Sequence, residues 1–152
     1  GFASEAYARR VAQAGLPAFL MATGYTPGDA VGLEETKAAL ATVIKRCEDA
    51  GVDNYVLDPG VGIWTPYRSY GDNWELCRHF DAFLAFDRPL LGAISRKSFI
   101  GSVVNREPEE RLAGSLAVTT VLLQKGASVI RTHDVKETVD TVKVYLQMVK
   151  GT

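Results

Sequence analysis

Three polar clusters each follow a short apolar run, and they hold most of the residues able to bind or activate a small molecule. The first, Asp58-Pro59-Gly60-Val61-Gly62, puts a carboxylate at the exit of such a run. An ionised carboxylate only accepts hydrogen bonds, so it can take two N–H bonds from the edge of a planar amino-heterocycle. Pro59 stiffens the exit and the glycines allow close approach. The same residues also suit an ordinary Asx turn, and both readings stand at this point. The second cluster, Ser95-Arg96-Lys97-Ser98, joins two cations to two hydroxyls. It can hold a phosphate, or set a lysine against an electron-rich ring. A solvated charged loop is the competing reading, although Phe99 and Ile100 directly after the charges are unusual for one. In the third, Arg131 and His133 alternate around Thr132, so an extended backbone projects both to one side. A helix start follows, which makes an anion site, unless His133 simply bonds neighbouring backbone.

Positioning these clusters falls to four nearly continuous apolar runs at 17–21, 54–57, 89–94 and 127–130, which read as strands covered on both faces. Amphipathic stretches at 2–14, 33–50, 73–86, 108–125 and 135–149 read as helices. Ser4 and Asp134 are their candidate caps, with Pro108 in a first turn and Gly51 and Gly126 as stops. Strict alternation of strand and helix calls for a parallel sheet with right-handed crossovers. The strand starts lie about 36–38 residues apart, against roughly 31 per unit in an eight-unit barrel. Half a closed barrel and a small open sheet both satisfy that spacing. In either, chemistry lies just past the strand ends, which adds the exit at 22–32 to the three clusters.

Bulk properties exclude several classes. With 152 residues, 47% hydrophobic, the chain can bury a core as one domain. A net charge of −1 removes the electrostatic case for nucleic acid. No run approaches the roughly 18 apolar residues of a membrane span, and no secretory signal is visible. Cys47 and Cys77 lack a CxxC spacing and read as reduced, buried thiols of a cytoplasmic protein. No Gly-rich phosphate fingerprint or nucleophile elbow is present. His79 reads as a surface or packing residue. Trp64 and Trp74 flank the long loop after the second strand, where packing is the expected role, though either could wall a ring.

Taken in order, DPGVG at 58–62, SRKSFIG at 95–101, EERLAGSLA at 109–117 and RTHDVKET at 131–138 resemble the dihydropteroate synthase family, the pterin-binding transferases of folate biosynthesis. The DPG turn alone says little, but the four together on consecutive strand ends are specific. The resemblance covers most of the chain. It implies that residues 1–152 are the C-terminal half of a TIM (β/α)8 barrel, four βα units holding strands five to eight, with the N-terminal half absent. It implies that Asp58 binds the pterin edge, that Lys97 lies along the pterin near an aromatic amine, and that Ser95, Arg96 and Ser98 shape the amine's site. Arg131 and His133 would hold the diphosphate, leaving Lys97, Arg131 and His133 as the catalytic set. The implied reaction condenses a dihydropterin methyl diphosphate with a p-aminobenzoate-type aniline and releases diphosphate. Mg²⁺ would assist from a ligand in the missing half, so no metal ligand is expected here.

Two features depart from the bacterial pattern. Bacterial members generally carry a lysine soon after the DPG glycines, where this chain reads Ile63-Trp64-Thr65-Pro66-Tyr67-Arg68, with Arg68 as the nearest cation at a different spacing. The exit at 21–29 also differs, and both features suggest an archaeal-like variant with a larger aniline. The chain begins inside an alternating pattern, as a cut chain would. A half-barrel leaves open strand edges, so pairing with the missing half, or a homodimer, is expected, with little activity alone. The alternatives are a methyltetrahydrofolate/corrinoid-type pterin methyltransferase, which has no obvious use for Arg131 and His133, and a non-catalytic binding module.

Overall fold

The computed structural model describes residues 4–26 and 28–150. Helix α1 (Glu5–Ala14) starts at Ser4, whose hydroxyl accepts from the Tyr7 N–H at 3.3 Å, and ends on Gly15 at φ 63°. Residues 2 and 3 of the expected first helix lie outside the described residues. Then follow β1 (Ala18–Met21), α2 (Gly32–Asp49), β2 (Tyr55–Asp58), α3 (Tyr70–Arg78), β3 (Leu90–Gly92), α4 (Ser98–Val104), α5 (Leu112–Gln124), β4 (Ala127–Ile130) and α6 (Val135–Lys150).

The four strands form one parallel sheet in the order β1-β2-β3-β4. Each strand pairs with its sequence neighbour, and the order never reverses. An open doubly wound sheet has a reversal point; consecutive barrel strands do not. The spacing ambiguity is thereby resolved toward a barrel segment.

Helices cover one face of the sheet. Leu20, Leu57 and Leu90 are fully buried there, against an α2 face of Thr36, Ala39, Leu40, Val43 and Cys47. The other face is not covered as the apolar runs predicted. Phe19 is 59% exposed at the middle of β1, and no β4 residue is fully buried. Phe19 lines a cavity together with Ser128, Val129 and Ile130 of β4, whereas Ala127 packs on the core.

Three predicted elements differ in detail. The helix expected over 73–86 breaks at His79, and Phe80–Phe86 continues as a 3₁₀ helix. A three-residue period stacks i on i+3, which buries Phe80 and Phe83 together, their rings edge to face at 5.9 Å. The helix expected over 108–125 divides at Arg111 into a 3₁₀ turn, Pro108–Glu110, and α5. Helix α4 was not foreseen. Phe99 and Ile100, which had suggested a binding loop, are its buried face.

Candidate active site

Asp58 ends β2, and one of its carboxylate oxygens accepts from the Gly60 N–H at 2.8 Å. The Asx turn is real. The carboxylate nevertheless also lines a cavity of about 950 Å³, shared with Phe19, Met21, Trp64, Lys97 and Arg131. Turn and site are one structure.

The backbone of 58–62 is held from α3. Ser69 caps that helix in a reciprocal box with Asp72. Asn73, fully buried one turn in, accepts from the Gly62 N–H and donates to the Ser69 carbonyl at 2.9 Å. Gly62 has φ 149°, and a Cβ there would sit 2.9 Å from the Lys97 ammonium. The positive φ favours glycine, and its missing Cβ leaves the Lys97 ammonium uncrowded.

Arg96 places Lys97. Its backbone is left-handed at φ 57°, a conformation uncommon outside glycine. Three groups hold it there. Its N–H donates to Ser115 Oγ at 2.9 Å, and its carbonyl accepts from Arg111 Nη1 at 3.1 Å. Its guanidinium pairs with Asp134, with Nε donating at 3.1 Å. Asp134, read as a helix cap, thus spends its carboxylate on Arg96, and Arg96 is tied down rather than free for a ligand. Residues 109–117 act as the brace of this loop.

A second depression of about 520 Å³ adjoins the cavity and shares Ala93, Lys97, Arg131 and Thr132 with it. Ser95, Arg96, Ser98 and His133 line this part. Ser95 is buried, and its hydroxyl meets both the backbone N–H of His133 at 3.2 Å and its Nδ1 at 2.9 Å. That fixes the ring without taking Nε2. All seven predicted site residues therefore gather around two connected hollows. Asp58 and His133 stand at opposite parts, bridged by Lys97 and Arg131.

The electrostatics follow from burial. Desolvation raises the pKa of Asp58 above 3.8, against the Gly60 hydrogen bond and the charges of Lys97, Arg131 and Arg68. Desolvation lowers the pKa of Lys97 below 10.5, opposed by Asp58 and assisted by Arg131 and Arg68. Arg68 lies behind the cavity wall, 4% exposed, donating to the Gly60 carbonyl at 2.8 Å. Its Nε and Nη2 have no hydrogen-bond partner among the described residues. Sequence reasoning missed Asn73, Arg111, Ser115 and Asp134 as site-building residues. The EERLAGSLA and RTHD matches contained three of them without showing what they bond.

Among the described residues no group of three His, Cys, Asp or Glu could hold a metal ion. No helix is long and apolar enough to cross a membrane among the described residues.

The site and fold match known proteins. The family model described as "Pterin binding enzyme" matches residues 1–133. The dihydropteroate synthase of Escherichia coli strain K12 is 44% identical over 103 residues, 66% of this chain and 36% of that protein. The probable bifunctional folylpolyglutamate synthase/dihydropteroate synthase of Haloferax volcanii is 35% identical over 116 residues, 75% of this chain and 13% of that protein. A Xanthomonas albilineans dihydropteroate synthase solved with 7,8-dihydropteroate superposes at TM-score 0.85 and 34% identity, covering 98% of this chain and 56% of that one. The chain thus spans about a third of the curated E. coli relative and about half of the solved barrel. Its sheet is the four-strand half of a TIM barrel, and the chain belongs to the pterin binding enzyme family.

Proposed function

We propose that the chain is the diphosphate-side half of a dihydropteroate synthase, condensing a dihydropterin methyl diphosphate with a p-aminobenzoate-type aniline. The observation that carries this is the placement of Asp58, Lys97 and Arg131 on one cavity wall, with His133 in the adjoining hollow. Asp58 accepts N–H bonds from the pterin edge with the carboxylate oxygen that Gly60 leaves free. Lys97 reaches over the pterin. Arg131 and His133 lie where the diphosphate leaves, and the positive charge of Arg131 there stabilises the charge that develops on it. The aniline nitrogen attacks the methylene carbon as the C–O bond to diphosphate breaks, and the amine proton passes to solvent. Ser98, with Ser95 and Arg96 behind it, borders the amine. Mg²⁺ would be held by residues of the N-terminal half-barrel and would help to neutralise the diphosphate.

The methyltransferase alternative has no use for an anion hollow, and the E. coli and X. albilineans relatives bear the synthase name. The free, buried thiols Cys47 and Cys77 suit a cytoplasmic protein. The exposed inner strand face around Phe19 suits pairing with a complementary half-barrel. A turnover assay tests this. Diphosphate release from the two substrates should be negligible with the chain alone and should appear when a complementary N-terminal half-barrel is supplied. Full activity from the isolated chain would refute the pairing.

A further inference from the structure

The two tryptophans, equivalent in the sequence, part company in the fold. Trp74 packs edge to face on Phe99 at 4.6 Å within the helical layer. Trp64 stays 47% exposed and lines the cavity beside Asp58. Its indole is nonetheless fixed. Nε1 donates to the Gly60 carbonyl at 2.9 Å, and the same residue's N–H donates to Asp58 at 2.8 Å. Gly60 therefore ties the indole edge and the carboxylate to one residue. The buried Arg68 shares that carbonyl at 2.8 Å and braces the turn from behind. Lys97 Nζ sits 4.9 Å from the ring centroid, a cation–π distance. An exposed indole whose one donor is already satisfied offers a ligand only its ring faces, one of which already carries the Lys97 ammonium.

We infer that Trp64 is a specificity-determining residue, the aromatic wall against which a planar ring held edge-on by Asp58 packs. This rests on the pterin reading of the cavity. The indole is electron-rich and a pterin ring is electron-poor, so contact between them adds to the hydrogen bonds at the ring edge. Gly62 keeps the space clear, since a Cβ there would lie 3.1 Å from Trp64 Nε1.

The chain carries two tryptophans, so Trp74→Phe leaves Trp64 as its one indole. Titrating that variant with 6-hydroxymethylpterin should quench its emission saturably. Calorimetry should then show Trp64→Ala weakening pterin binding roughly 5- to 100-fold, the size of a lost ring contact. Trp64→Phe should retain affinity within about threefold of the parent. Asp58→Asn separates the two claims. If Asp58→Asn weakens binding by about tenfold or more while Trp64→Ala stays within about twofold of the parent, the wall is refuted and the pterin site stands. If the parent binds no pterin, both fall.

Discussion

The proposed pterin contact requires Asp58 to stay ionised where burial favours its neutral form, because protonation turns one of its acceptor oxygens into an O–H donor. Its pKa is raised by desolvation in spite of three nearby cations. A carboxyl raised in the folded state favours folding below its unfolded pKa, and that contribution is lost as pH rises through the folded value. At neutral pH the ionised group therefore costs stability. Asp58→Asn, which can still accept from Gly60, should raise the denaturation midpoint at pH 7 while weakening pterin binding about 10- to 150-fold. The stability gain should shrink as pH falls through the raised pKa. Affinity of the parent should fall over the same range, above the ordinary 3.8. A midpoint lowered by Asp58→Asn would contradict the desolvation argument. The residue types at the site were legible because each cluster stood directly after an apolar run. The commitments of Arg96 and Ser95 were not, since each bonds a residue 38 positions away.

The elements supply rigidity rather than chemistry. Helix α3 exists for the site chiefly through Asn73, which ties Gly62 to the helix start. Asn73→Ala leaves a buried N–H unpaired and should cost about 1–3 kcal/mol in chemical denaturation, with the cavity loop loosened. An effect below about 0.5 kcal/mol would show that the loop stands without it. Cys47 and Cys77 lie on the buried faces of α2 and α3, and burial pushes their thiols up to about 11 and about 12. Both should resist alkylation at pH 8 and react on unfolding; fast labelling of the folded chain would contradict the packing. Strand positions and α2 were readable because their apolar periods are long and clean. Helix α4 was hidden because its seven residues begin inside the charged cluster and mix two apolar pairs with glycine and serine. The 3₁₀ stretch Phe80–Phe86 was hidden because it continues α3 without a proline or glycine to mark the change.

At the scale of the molecule, the sheet is a wall with a cavity on one face. Its outer face is sealed by helices, while Phe19 and the cavity-lining residues of β3 and β4 look inward on open space. Sequence order alone could not separate a barrel segment from an open sheet, because both repeat βα units at similar spacing; the unreversed strand order decides it. The proposed function requires one continuous hollow that takes a pterin at Asp58 and a diphosphate at Arg131 and His133. Calorimetric titration with the dihydropterin methyl diphosphate and with the unphosphorylated hydroxymethyl compound tests it most directly. The diphosphate should bind more tightly, and Arg131→Ala should reduce it to the level of the unphosphorylated ligand. Equal affinity for the two ligands, or a diphosphate preference untouched by Arg131→Ala, would contradict it.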